Sequence, residues 1–280
     1  MEYAIVLLAA LAHAIWNGLV KNSEDKLLSL TFVRFIGMIF GLTVIATQPS
    51  MDMSILPYVL LASSVHFVYF YCLINTYKLG DFSQVYPISR GLAPMLVLFF
   101  CVFVVQDNLN SWQIFGTLLI CAGLMYLAVS KRTILIAPLI FAVATAFCIA
   151  GYTLVSGMGV RLSESFLVYA GWLEVVTGAG VLIFSFIRRG KKIVVYGFRH
   201  WKHGSLTGVL SIGGYTAALW AMTKLPISSV AVLRETSIIF AALIGGYVLK
   251  EKFAFTRVFA STVVVTGIAC LILNGYTIQK

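Results

Sequence analysis

Charged residues are scarce in this sequence. Only 11% of its 280 residues are Asp, Glu, Lys or Arg, whereas 60% are hydrophobic. A soluble domain has roughly a quarter charged residues, and no soluble fold could bury so much apolar surface. The longest polar stretch, residues 188–203, is too short to form a domain of its own. The composition therefore predicts an integral membrane protein that carries no soluble catalytic module.

The apolar runs also lack the patterns of aspartate and cysteine that would hold a metal ion. No aspartate lies within an apolar run, although prenyl- and phosphotransferases of membranes generally need clustered aspartates to hold magnesium. The cysteines lie inside apolar runs without metal-like spacing, which indicates apolar packing rather than a disulfide framework or a zinc site. We therefore expect no metal, no cofactor and no enzyme activity. The cysteines are Cys72, Cys101, Cys121, Cys148 and Cys270.

Long apolar runs are what the sequence has instead. Each of ten runs is near the roughly 20 residues that an α-helix needs to cross the hydrocarbon layer of a membrane. The runs are continuous rather than alternating, which excludes the pattern of a transmembrane β-barrel. The expected fold is all-α, with ten transmembrane helices. The runs are residues 3–20, 28–47, 55–77, 85–105, 111–129, 134–155, 164–187, 204–223, 229–249 and 256–275.

The two halves of the chain resemble each other. Residues 77–85 match residues 222–230, and residues 107–124 match residues 251–268. Each half has an odd number of runs, so the two halves would enter the membrane in opposite orientations. The sequence therefore predicts two inverted five-helix repeats, residues 1–130 and 131–280, an arrangement typical of membrane transporters.

The net charge of +10 reports topology in a membrane protein before it suggests nucleic-acid binding. Fourteen basic residues follow odd-numbered runs and three lie on the opposite side, which predicts that both termini are outside the cytoplasm. Equivalent loops of the two halves also differ in charge. Residues 48–54 include no Lys or Arg, whereas the matching residues 188–203 include six. This opposite bias is what inverted halves require.

Five charged side chains fall inside the apolar runs. A charge near the centre of a bilayer costs about 3 kcal/mol or more, so each should face a partner or a watery cavity. Arg90 and Arg234 lie in or beside the repeated segments and are predicted contacts for an anionic substrate. Arg34 either shares that role or extends to the membrane interface. Glu174 and Glu235 are predicted proton carriers, and Glu174 either stays neutral or pairs with an arginine of another run.

Two groups of polar residues complete the predicted substrate site. His13, Trp16 and Asn17 share one face of the first run, where they either line a polar cavity or form a hydrogen-bond cluster between helices. Tyr86 shares a face with Arg90 in the fourth run. Two prolines and a glycine surround that arginine, which predicts a kinked or broken helix there.

These residues resemble those of the drug/metabolite transporter superfamily, EamA type. The resemblance implies ten helices in two inverted repeats around a central cavity, and proton- or exchange-driven movement of small metabolites. It also implies cytoplasmic termini, against the charge count. Gln106 and Lys250 depart from the family pattern, which often has glycine at both positions. The likeness is carried by residues 12–17, Arg34, residues 232–237 and 250–252, and the spaced sets Asp107/Gly116/Gly123 and Glu251/Ala260/Gly267.

The expected function is that of a secondary transporter in a bacterial cytoplasmic (inner) membrane. It would move a small polar metabolite, such as an amino acid, a carboxylate or a phosphonate-like anion, by alternating access coupled to protons or to exchange. A passive channel and an integral-membrane enzyme are the rival classes. The expected partners are the lipid bilayer, a small-molecule substrate and protons, with no nucleic acid. The sequence does not set the oligomeric state.

Overall fold

The structure is a computed structural model that describes residues 1–48, 51–79, 82–129, 136–240 and 255–273. All regular secondary structure within these residues is helical. A 3-10 turn at Met53–Ile55 precedes the third helix, and a π-helix at Cys101–Val105 continues the fourth. The helices are α1 Glu2–Lys21, α2 Lys26–Thr47, α3 Leu56–Leu79, α4 Phe82–Phe100, α5 Ser111–Val129, α6 Ile136–Leu162, α7 Phe166–Arg189, α8 Lys192–Arg199, α9 Trp201–Met222, α10 Ile227–Glu235 and α11 Phe255–Leu273.

Six helical segments of the described residues are long and apolar enough to cross a membrane. Two shorter apolar helical segments, Ser111–Tyr126 and Phe259–Ile272, lie within α5 and α11. The all-α membrane class is therefore confirmed. The count of ten transmembrane helices stays a prediction, since the ninth run, residues 229–249, extends outside the described residues. The six segments are Glu2–Lys21, Lys26–Thr47, Met53–Leu73, Ile88–Val105, Ile136–Leu162 and Phe166–Arg189.

The chain divides into two compact units. The first consists of Met1–Ser64 and Val155–Thr223, and the second of Val65–Leu154 and Lys224–Lys280. Each unit takes segments from both predicted halves, because α3 and α6 each begin in one unit and end in the other. The compact units are therefore not the sequence repeats. The compact units do not test the predicted division of the sequence into two repeats at residue 130, which stays a prediction.

Glycines set the packing in the first unit, where α2 lies against α7. A Cβ atom on Gly41 would overlap the carbonyl oxygen of Gly171, and one on Gly178 would lie 3.0 Å from the carbonyl oxygen of Arg34. Small residues allow two helix backbones to approach this closely. The Oγ1 of Thr31 and the Oγ of Ser185 add a buried hydrogen bond of 2.7 Å across the same pair.

The second unit has a reciprocal glycine contact between α5 and α11. A Cβ atom on Gly116 would lie 2.7 Å from the carbonyl oxygen of Gly267, and one on Gly267 would lie 2.7 Å from that of Gly116. Further along, a Cβ atom on Gly123 would lie 3.1 Å from the carbonyl oxygen of Ala260. The small residues that the sequence repeat aligns are therefore the ones that bring these two backbones together.

The prolines of the fourth run do not interrupt its helix. α4 is continuous through Pro87, Gly91 and Pro94, and its geometry changes only at the π-helix that begins at Cys101. Each proline removes a single backbone N–H, a loss that a packed membrane helix tolerates. The interruption lies in the ninth run instead. There α10 ends at Glu235, and the N–H of Ile239 donates to the carbonyl of Thr236 at 2.9 Å as helical geometry resumes.

Within the described residues, Gln106 and Gly190 have positive φ, of 56° and 55°. Gln106 adopts the left-handed helical conformation, whereas Gly190 has ψ −137°, in a region that glycine alone adopts readily. Gln106 stands where the family pattern often has glycine, and an L side chain is disfavoured in the left-handed conformation by about 1 kcal/mol. Gln106→Gly should therefore stabilise the protein by about 1 kcal/mol, because the side chain is exposed and contributes little packing. Thermal unfolding of the full chain in detergent measures the change.

Gly190→Ala is the reverse substitution at the other residue with positive φ. A Cβ atom there would meet nothing within 4 Å, so Gly190→Ala changes only the backbone preference and should destabilise the protein by about 1–3 kcal/mol. Shifts of the same sign in Gln106→Gly and Gly190→Ala would contradict the assignment of strain to positive φ.

Candidate functional site

An ion pair is buried in the second unit, between α4 and α10. The Nη1 of Arg90 donates to both carboxylate oxygens of Glu235, at 3.0 Å and 3.2 Å. Arg90 is 8% exposed and Glu235 is 5% exposed. Two charges removed from water in this way are stable only when each has the other close by. The contact therefore joins a predicted substrate residue to a predicted proton carrier.

The helix that carries Glu235 is short and is fixed at its first residue. The Oδ2 of Asp107, in the loop after the π-helix, accepts a hydrogen bond of 2.9 Å from the N–H of Ile227. A helix of nine residues is about 14 Å long, less than half the thickness of the hydrocarbon layer. Asp107, which the repeat aligns with Glu251, is thus a capping group. Glu251 lies outside the described residues.

A cavity of about 10 Å³ lies beside the ion pair. That volume holds about one water molecule. Its wall includes Tyr152 and Thr153 of α6 and Arg234 of α10 as well as Glu235. Arg234 is half-buried. Pro94, which also lines the cavity, has no N–H to give to the carbonyl of Arg90. The cavity therefore has room for about one water molecule beside the carboxylate of Glu235.

Other polar and aromatic side chains of the second unit contact the residues that line this cavity or lie on the same helices. The imidazole of His66 stacks on the ring of Tyr152, with 4.0 Å between the ring centroids. The hydroxyl oxygens of Ser228 and Ser229, in the first turn of α10, are buried and have no hydrogen-bond partner among the described residues. Sequence reasoning singled out none of Tyr152, Thr153, Ser228 and Ser229, because hydroxyl side chains are common in membrane helices and no spacing marked these four.

A second ion pair lies in the first unit, between α2 and α7. The Nη1 of Arg34 donates to the two carboxylate oxygens of Glu174 at 3.2 Å and 3.3 Å. The side chain of Glu174 is 5% exposed and that of Arg34 is 18% exposed. Gly37 makes room for the carboxylate, since a Cβ atom there would overlap Oε2 of Glu174. Of the two alternatives for Glu174, the structure has the pair with an arginine of another run.

The three polar residues of α1 lie together, as their spacing predicts. The rings of His13 and Trp16 are in edge contact with 5.2 Å between centroids. The Nδ2 of Asn17 donates to the backbone carbonyl of His13 at 2.8 Å. All three side chains are half-buried. Tyr86 lies in α4, but its side chain falls outside the described part of the structure.

The described residues provide no preformed metal site. Among them, no group of three or more His, Cys, Asp or Glu side chains is placed to hold a metal ion. The polar side chains that the structure does place within the helices include guanidinium groups, carboxylates, hydroxyls and imidazoles. Such groups bind anions, cations and protons through hydrogen bonds and charge.

Apolar helices with ion pairs buried between them define an integral, multi-pass membrane protein. The EamA-like transporter family model matches residues 1–129 and 136–273. The chain therefore belongs to the EamA-like transporter family, whose members are transporters. This confirms the family resemblance that the sequence motifs predict.

Structural comparison agrees on the fold. A crystal structure of another protein, 18% identical in sequence, superposes with a TM-score of 0.72. The match covers 97% of this chain and 95% of that chain. At this identity the likeness concerns the fold alone. No curated protein matches the chain in sequence.

Proposed function

We propose that this protein is a secondary transporter of a small anionic metabolite in a bacterial cytoplasmic membrane. The cargo class is a carboxylate, an amino acid or a phosphonate-like anion. Arg90 binds the anion and Glu235 carries the coupled proton, with Arg234 beside them. Arg34 and Glu174 form a second charged centre, and His13, Trp16, Asn17 and Tyr86 contribute polar contacts to the substrate.

The contact between Arg90 and Glu235 carries this proposal. In the ionised pair the guanidinium already has a carboxylate counter-charge, so a substrate anion must compete with Glu235 for it. When Glu235 takes up a proton, Arg90 loses that counter-charge, and a bound anion restores electrical balance. In a site where an uncompensated charge is costly, binding of the anion and binding of the proton therefore favour each other.

The positions of the two residues in the chain support the rest of the proposal. Arg90 and Glu235 are separated by 145 residues, the same separation as Tyr77 and Met222, which begin the first matched segments. Extended without a gap, the first matched segments align Arg90 with Glu235, and the second matched segments, which are offset by 144 residues, align it with Arg234. In both registers the counterpart of Arg90 lies at the end of α10, the helix with which Arg90 pairs. Such a contact is expected where two inverted repeats, here residues 1–130 and 131–280, meet near their axis. Alternating access by ten transmembrane helices follows from that arrangement.

Reconstitution of the purified chain into proteoliposomes tests the proposal. A panel of labelled carboxylates, amino acids and phosphonates should contain at least one compound that shows counterflow and that an inward proton gradient concentrates. Glu235→Gln should retain counterflow of that compound but lose the response to the gradient. Lys224→Gln, a matched change of an exposed charge in the loop before α10, should leave both unchanged.

Two outcomes count against the proposal separately. A panel without trans-stimulation for any compound would contradict the carrier mechanism and favour a channel. A full response to the proton gradient in Glu235→Gln would leave the carrier in place and remove Glu235 as the coupling group.

A further inference from the structure

The short helix α8 has an apolar face that points away from the protein. Val194, Val195 and Phe198 are 58%, 68% and 82% exposed. On the other side of the helix, a Cβ atom on Gly197 would lie 3.0 Å from the ring of Phe32 in α2. α8 therefore packs on the first unit through Gly197 and leaves its bulky apolar side chains uncovered by the described residues.

Basic side chains surround this apolar face. Residues 188–203 include six Lys or Arg and no Asp or Glu. Two acidic groups approach them from the loop between α1 and α2: Asp25 pairs with Arg189 at 3.2 Å, and Glu24 lies 3.7 Å from His200. Lys191, Lys192 and Arg199 are exposed. The segment therefore combines exposed apolar bulk with an excess of positive charge.

The helices next to α8 in the chain indicate that lipid, rather than protein, covers its apolar face. α7, a segment able to cross the membrane, ends at Arg189, and its last turns expose Phe186 and Ile187 by 62% and 77%. Trp201, at the start of α9, is 57% exposed, and tryptophan is enriched at the level of the lipid headgroups. The apolar face of α8 thus continues the lipid-facing surface of α7. Continuity of this kind favours a membrane over a protein partner.

We propose that α8 lies along the membrane surface and binds anionic phospholipid headgroups. Val194, Val195 and Phe198 enter the boundary between headgroups and acyl chains, and Lys191, Lys192 and Arg199 contact lipid phosphates. A helix whose exposed apolar side chains are flanked by cations binds membranes in this way, and clustered cations beside a membrane helix select anionic lipids. This site is independent of the transported compound.

Fluorescence of the full chain in lipid nanodiscs tests this proposal. Brominated phosphatidylglycerol and brominated phosphatidylcholine are compared at equal mole fraction, and the signal of Trp201 is taken as the difference between the wild type and Trp201→Phe. We expect several-fold stronger quenching of Trp201 by the anionic lipid. The triple variant Lys191→Gln/Lys192→Gln/Arg199→Gln should weaken this preference strongly, with Arg188 and Lys202 left in place, whereas Lys191→Arg/Lys192→Arg/Arg199→Lys should keep it.

A further substitution separates the apolar contribution from the charge. Phe198→Ser should lower quenching by both brominated lipids, because it removes the most exposed apolar side chain of the face. Equal quenching by the two lipids in the wild type would overturn the proposal. Full retention of the preference in the glutamine variant would also overturn it, since the cations would then not be the groups that select the lipid.

Discussion

Arg90→Ala should destabilise the protein by about 3–5 kcal/mol and abolish transport. The substitution leaves the carboxylate of Glu235, which is 5% exposed, without the guanidinium that now lies 3.0 Å away. Considered from the sequence alone, removal of Arg90 should abolish transport but leave expression intact. The ion pair changes that expectation, because Arg90 also balances the buried charge of Glu235 in addition to its proposed contact with the substrate. Thermal unfolding in detergent and counterflow in proteoliposomes measure the two effects.

The double variant Arg90→Ala/Glu235→Ala separates the two roles of Arg90. With both charges gone, no uncompensated carboxylate remains, so much of the lost stability should return while transport stays absent. Lys224→Gln is the control, since it removes an exposed charge in the loop before α10 and leaves the ion pair in place. Equal stability of Arg90→Ala and wild type would contradict the role of the pair. So would a double variant as unstable as the sum of its single changes.

Gly37→Ala should also destabilise the protein, although it adds only one methyl group. The new Cβ would overlap Oε2 of Glu174, so the carboxylate at the flexible end of that side chain must shift, which strains its contacts of 3.2 Å and 3.3 Å with Arg34. Overpacking costs about 1–3 kcal/mol. We expect a clear fall in the melting temperature of the detergent-solubilised protein.

Two comparisons make the Gly37 experiment specific. Gly18→Ala, in α1, adds the same methyl group where nothing lies within 4 Å, and should stabilise the protein by up to about 1 kcal/mol through the higher helix propensity of alanine. In a Glu174→Ala background the overlapping carboxylate is gone, so Gly37→Ala should cost little. A fall in stability as large as in the wild-type background would show that the methyl group acts through the α2–α7 packing rather than through Glu174.

The apolar runs predicted the helices well because membrane insertion depends on local composition. The first, second, fifth and seventh runs agree with α1, α2, α5 and α7 to within a few residues. The partners of Arg34 and Arg90 could not be predicted in the same way. They lie 140 and 145 residues away in the chain, and a single sequence states only that an embedded charge needs a partner.

The backbone conformation within the helices is a second feature that the sequence did not predict correctly. Pro87 and Pro94 predicted an interruption of the fourth run, yet α4 continues through both. The interruption after Glu235 occurs at Thr236, where no proline or glycine marked it. Gln106 was noted only as a departure from a family pattern, and its left-handed φ of 56° supplies the physical reason why glycine suits that position.

The end of α10 within the ninth run places the ion pair beside a break in the helical backbone. Glu235 is the last residue of that helix. The N–H groups of Thr236 and Ile239 each donate to a carbonyl three residues earlier, those of Leu233 and Thr236. A stretch of such 3-10 hydrogen bonds inside a helix often marks a hinge. A small change of backbone angles at this point would therefore move the carboxylate relative to the guanidinium, while Asp107 holds the other end of α10.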